Sequence, residues 1–96
     1  MRDIRYILIF LSFAFAMQSQ SDSMLVKRSS PKTLKRLGKN AMEQNDPSSA
    51  ITFYEAYLNI NNRDAKAKYD LGQAYLQIRD YDRAQRMFLN AYETDV

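Results

Sequence analysis

Leu71-Gly72-Gln73-Ala74-Tyr75 stands 34 residues downstream of Leu37-Gly38-Lys39-Asn40-Ala41, and the two stretches share their Leu-Gly pair. Twelve residues after each glycine comes an alanine, Ala50 and then Ala84. Lys32/Lys66 and Asp46/Asp80 are further identical pairs in the same register, with no insertion between the two copies. A period of this length is the mark of helix–turn–helix units that stack on one another, with small residues where helices pass closely. The register predicts a scaffold before any reactive side chain is considered.

Working outward, Ser30-Pro31 predicts the start of a first helix. Serine caps the free N–H groups, and proline suits the first helical position, where its missing N–H costs nothing. Leu34, Leu37, Gly38, Ala41 and Met42 then follow helical spacing. Asn45-Asp46-Pro47 ends that helix and begins a second, lined by Ala50, Phe53, Tyr54, Tyr57 and Leu58. Asn61-Asn62 is read as the next break, because asparagine tolerates turn geometry and can cap the next helix. A third helix shows Leu71, Ala74, Tyr75 and Ile78. Arg79-Asp80 closes it and caps a fourth, lined by Ala84, Met87, Phe88 and Ala91. No stretch alternates with period two for long enough to argue a strand, so the expected class is all-α.

With these residues in place, the chain resembles the tetratricopeptide repeat (TPR) family. The second unit carries Leu71-Gly72-x-x-Tyr75, Asp80-Tyr81, Ala84, Phe88 and Ala91; the first carries Leu34, Leu37-Gly38, Asp46, Ala50 and Tyr54. The resemblance implies two tandem repeats, residues 31–64 and 65–96, forming a short right-handed α-solenoid. Gly38, Gly72, Ala50 and Ala84 would mark the close crossings, with Tyr75 and Phe88 as large fillers between helices. Departures concentrate in the first unit, as in many terminal repeats. The family's early aromatic is Leu34 in one unit and Lys68 in the other, with an aromatic, Tyr69, next to it in sequence. The tyrosine expected after Leu-Gly is Ala41, a late small residue is Tyr57, and the closing proline is Asn62 or Val96.

The family's binding groove, carried over position by position, falls on Lys32, Lys35, Lys39, Met42 and Glu43, then Lys66, Tyr69, Gln73, Leu76 and Gln77. Four lysines among Met42, Tyr69 and Leu76 suit a protein or peptide partner that is acidic with apolar anchors. The clamp with which some relatives hold a chaperone's C-terminal carboxylates does not carry over. Lys35 matches, but Lys39 and Asp70 stand where asparagines are required, and Asp70 would repel a carboxylate.

Residues 1–21 read as a separate object. Arg2 and Arg5 precede an apolar run from Tyr6 to Met17, and the chain turns polar at Gln18. That is the order of a secretory signal peptide, with cleavage after Ala16 or after Ser21, and the run is shorter than the ~20 residues a spanning helix needs. With no cysteine for lipid attachment, the expected product is exported, periplasmic or secreted, unlipidated, and in contact with the membrane only during export. Residues 22–30 read as a flexible basic linker. Residues 22–39 hold six bases and one acid, whereas residues 40–96 hold six bases and nine acids. This layout is similar to the front of longer cell-envelope proteins in which such repeats precede OmpA-like modules.

The absence of cysteine and histidine removes disulfides, thiolate or imidazole metal sites and the usual general base. No G-x-S-x-G or glycine-rich phosphate loop occurs among only two glycines. The expectation is therefore no enzyme, no cofactor and no nucleic acid, the net charge of +3 being too small to imply one. Two repeats bury less than the ~3 usually needed, so the last helix should leave apolar surface around Tyr81, Met87 and Phe88. That predicts association through the C-terminal end, either as a self-associating subunit or within a longer protein.

Overall fold

A computed structural model describes residues 25–95 of the chain; the expected signal peptide lies outside them. From Pro31 onward the described residues form four helices in order: α1 (Pro31–Glu43), α2 (Pro47–Ile60), α3 (Ala65–Gln77) and α4 (Tyr81–Asp95). Among the described residues there is no strand. α1 packs on α2, α3 packs on α4, and the two pairs meet where α2 lies against α3.

Each helix begins where a short oxygen-bearing side chain can satisfy a free N–H. Ser30, Asp46, Asp64 and Asp80 accept from the backbone N–H groups of Thr33, Ser49, Ala67 and Arg83 at 3.0–3.3 Å. One expectation is corrected here. The break at Asn61-Asn62 holds, but Asp64, not an asparagine, caps α3, because a carboxylate also answers the positive end of the helix dipole.

Inside each pair the turn has the same construction. Asp46 N–H donates to Ala41 C=O at 2.8 Å and Asp80 N–H to Tyr75 C=O at 3.0 Å. The residue before each aspartate takes a left-handed conformation, Asn45 at φ 57° and Arg79 at φ 63°. This is the Schellman closure, and its final residue doubles as the N-cap of the next helix.

The core runs through both pairs without interruption: Leu34, Ala41, Ala50, Phe53, Tyr54, Tyr57, Ala67, Leu71, Ala74, Tyr75 and Ala84 are buried in one cluster. Leu37, Met42, Met87 and Phe88 pack at its edge. The two glycines sit where the paired helices press together. A Cβ on Gly38 would come within 3.0 Å of the Tyr54 ring, and one on Gly72 within 2.7 Å of the Phe88 ring. Tyr54 and Phe88 are themselves 34 residues apart, so one crossing is built twice.

The start of the described residues also differs from expectation. Part of the stretch read as a flexible linker is ordered: residues 25–28 are helical, and Val26 packs against the core. Its apolar side chain has a place to be buried, which a purely basic segment would lack. Lys68, in the position of the family's aromatic, crosses to α4 and donates to Asn90 Oδ1 at 2.9 Å and Thr94 Oγ1 at 2.6 Å. Tyr69 does not replace the missing filler; it is half exposed and meets Phe88 with ring centroids 5.4 Å apart.

Candidate partner-binding clefts

Helices α1 and α3 are separated by a cleft of about 500 Å³. One wall carries Lys35, Lys39, Met42 and Glu43 from α1, the other Lys66, Asp70 and Gln73 from α3, and Tyr54 of α2 lies between them. Helical spacing explains the walls: residues three and four apart share a face. Charges in the cleft are partly matched internally. Lys66 Nζ pairs with Asp70 Oδ1 at 2.7 Å, and burial together with the Asp70 carboxylate pushes the Tyr54 hydroxyl up to about 12.

Lys35 belongs to a larger network. Its ammonium lies 2.8 Å from Asp64 Oδ2, to which the Tyr57 hydroxyl also donates at 2.7 Å, while Asn61 Nδ2 donates to the Tyr57 oxygen at 3.1 Å. Partial burial works to raise the Asp64 carboxyl, but Lys35, Tyr57 and the Ala67 N–H outweigh it and hold the group at about 2. One carboxylate thus joins α1, α2 and the head of α3.

A second cleft, of about 640 Å³, opens on the far side of α3, between α3 and α4. Tyr69, Leu76, Phe88 and Tyr92 give it an apolar surface, with Lys66 and Asp95 at its rim. Phe88 marks the difference between the two helix pairs. Its counterpart Tyr54 is 2% exposed because α3 covers it, whereas Phe88 is only half buried. Tyr92 is 70% exposed.

Residues 41–93, from the last turn of α1 into the end of α4, match the tetratricopeptide repeat family. This is more than half of the chain, and it spans both turns, the Asp46, Asp64 and Asp80 caps and the Gly72 crossing. The chain belongs to this family. No curated protein and no solved structure matches the chain.

TPR repeats are protein-interaction scaffolds, and the residues carried over as a groove can be placed on this TPR chain one by one. Lys35, Lys39, Met42, Glu43, Lys66 and Gln73 come together in the α1/α3 cleft. Tyr69 and Leu76 fall in the second cleft, which Lys66 and Gln73 also border. Lys32 and Gln77 are exposed and line neither. Of the repeat-signature residues, Gly38, Ala50, Tyr54, Leu71, Gly72, Tyr75, Ala84 and Ala91 are buried, and Leu37 and Phe88 are half buried. Sequence reading missed Asp64. The period contained its signal, because Asp64 stands 34 residues after the cap Ser30.

Proposed function

We propose that this TPR chain is a non-catalytic scaffold in the cell envelope, reaching the periplasm or the exterior by the signal peptide at residues 1–21. Its two helix pairs form a short right-handed solenoid, and the α1/α3 cleft holds a segment of a protein partner that is acidic with apolar anchors. The observation that carries this reading is the convergence of Lys35, Lys39, Met42 and Lys66 on one cleft. A photo-crosslinking residue at position 42 is expected to capture the partner from intact envelopes. The same residue at position 86, which borders a separate, smaller depression lined by Tyr75, Arg83 and Met87, is expected to capture less. Equal capture at both positions, or capture only at 86, removes the cleft from the reading.

A second reading is favoured by the α3/α4 cleft. Its exposed Tyr92 and half-buried Phe88 suit association of copies, making the chain a self-assembling subunit. Light scattering over a range of concentrations separates the two readings.

A further inference from the structure

We infer that the α1/α3 cleft reads an extended segment in which a carboxylate stands two residues from a large apolar side chain. Lys39 meets the carboxylate and Met42 seats the apolar group. This rests on the cleft reading above and specifies the partner it admits.

The lysines of the cleft are not equivalent. Lys35 is held by Asp64 at 2.8 Å, and Lys66 by Asp70 at 2.7 Å. Both ammonium groups already face a carboxylate of the chain itself. Lys39 is exposed, lines the cleft, and has no ion-pair partner among the described residues. It is the cleft cation with charge to offer.

Spacing then sets the pattern. Lys39 and Met42 lie three apart on α1, which places their Cβ atoms about 5–6 Å from one another. An extended chain returns to the same face every second residue, at roughly 6.6 Å. One carboxylate and one apolar side chain in an i, i+2 relation therefore span the pair. The far side of Met42 is closed to a second acid. Glu43, the next residue on α1, lines the cleft and has no ion-pair partner among the described residues. Like charges there repel, so the cleft favours an acid on the Lys39 side only.

Selection from a random decapeptide library on the immobilised full chain tests the pattern without knowledge of the natural partner. The expected winners carry Asp or Glu two residues from Leu, Phe, Ile or Met. Lys39→Glu should weaken them about tenfold at low salt, since each exposed charge contributes modestly, and should shift selection to Lys or Arg at that place. Gln73→Trp adds bulk to the α3 wall, which borders both clefts, and should block them, whereas Tyr92→Lys, which alters the α3/α4 cleft alone, should not; circular dichroism establishes that the variants fold. Winners blocked by Gln73→Trp but without an acidic preference, or indifferent to Lys39→Glu, overturn the pattern and leave the cleft standing. Winners indifferent to Lys39→Glu and Gln73→Trp, winners lost to Tyr92→Lys, or no winners at all, overturn the cleft reading as well.

Discussion

Lys35 on α1 and Asp64 at the head of α3 form a 2.8 Å ion pair across the boundary between the two helix pairs. Tyr57 of α2 donates to the same carboxylate oxygen. The boundary between repeats is thus fixed by a polar contact as well as by apolar packing, and the two ends of that contact are not worth the same. Asp64 also caps α3, so Asp64→Ala removes a cap and two side-chain partners at once and should cost about 2 kcal/mol. Lys35 is 43% exposed at its side chain, and Lys35→Met should cost no more than about 1 kcal/mol. Urea unfolding of the two variants measures the difference, and equal losses would contradict it.

The same carboxylate predicts an acid dependence. Its folded value of about 2 lies below the ordinary 3.8, so the folded state favours the anion. The contribution of Asp64 is complete above the unfolded value and is lost as pH falls from about 4 toward 2. Thermal melts of the wild type and Asp64→Asn should therefore draw together through that window. At the other extreme Tyr54 and Tyr75 are raised to about 12, mainly by burial and then by Asp70 and Glu55. Their protonated forms stabilise the fold below about pH 10, and that support is lost as pH rises toward 12.

Legibility from sequence followed the range of the interaction. The turns, the Asp46 and Asp80 caps and the glycine crossings depend on neighbours in the chain or on the repeat register, and they were visible in Leu37-Gly38 and Leu71-Gly72. The cap of α3 was obscured by Asn61-Asn62, whose turn propensity lies three and two residues before the carboxylate that does the capping. The division of the lysines was only half legible: Lys66 and Asp70 form an i, i+4 pair on one helix face, but the partner of Lys35 lies outside its helix. Lys35 finds Asp64 across 29 residues, and no local pattern records which side chain will reach which. Exposure was half legible: Tyr81 is exposed as expected, but Met87 and Phe88 are half buried, and Leu89 and Tyr92 are the exposed side chains further along α4.

Gly72 tests the close crossing. Alanine there gains about 1 kcal/mol of helix propensity, but its Cβ would lie 2.7 Å from Phe88 Cε1, so the ring must move. Overpacking of this kind costs about 1–3 kcal/mol. Gly72→Ala should be destabilising by up to about 2 kcal/mol. Combining it with Phe88→Leu should cost less than the sum of the two single changes, because the smaller side chain relieves the collision. Strict additivity in the four-member cycle would show that Phe88 is not the obstacle.

Arg79 carries avoidable strain. It holds φ 63° in the turn before Asp80, a conformation that costs a non-glycine residue about 1 kcal/mol. Its counterpart Asn45, at φ 57°, is of a type that tolerates the region. Arg79→Gly or Arg79→Asn should therefore stabilise the chain by about 0.5–1 kcal/mol, and Asn45→Gly should gain less. A rise in the urea midpoint with unchanged slope is the expected reading. No rise would mean that contacts of the arginine offset the strain.

Self-association is the last consequence of the asymmetry between Tyr54 and Phe88. The same crossing is sealed by α3 in one pair and left open at the α3/α4 cleft in the other. Tyr92, 70% exposed beside that cleft, and Leu89, 56% exposed, add apolar surface on α4. Burying such side chains is worth about 1.5–3 kcal/mol each when complete, enough for weak association at high concentration. Light scattering should show a mass that rises with concentration, and Tyr92→Lys should flatten the rise. Tyr92 lies outside the core cluster, so this variant should keep the wild-type helical signal. Lys39→Glu, on the other side of α3, serves as the control and should leave association unchanged. A concentration-independent monomer mass for the wild type would refute the self-assembling reading. A rise abolished by Lys39→Glu but not by Tyr92→Lys would move the contact to the α1/α3 cleft.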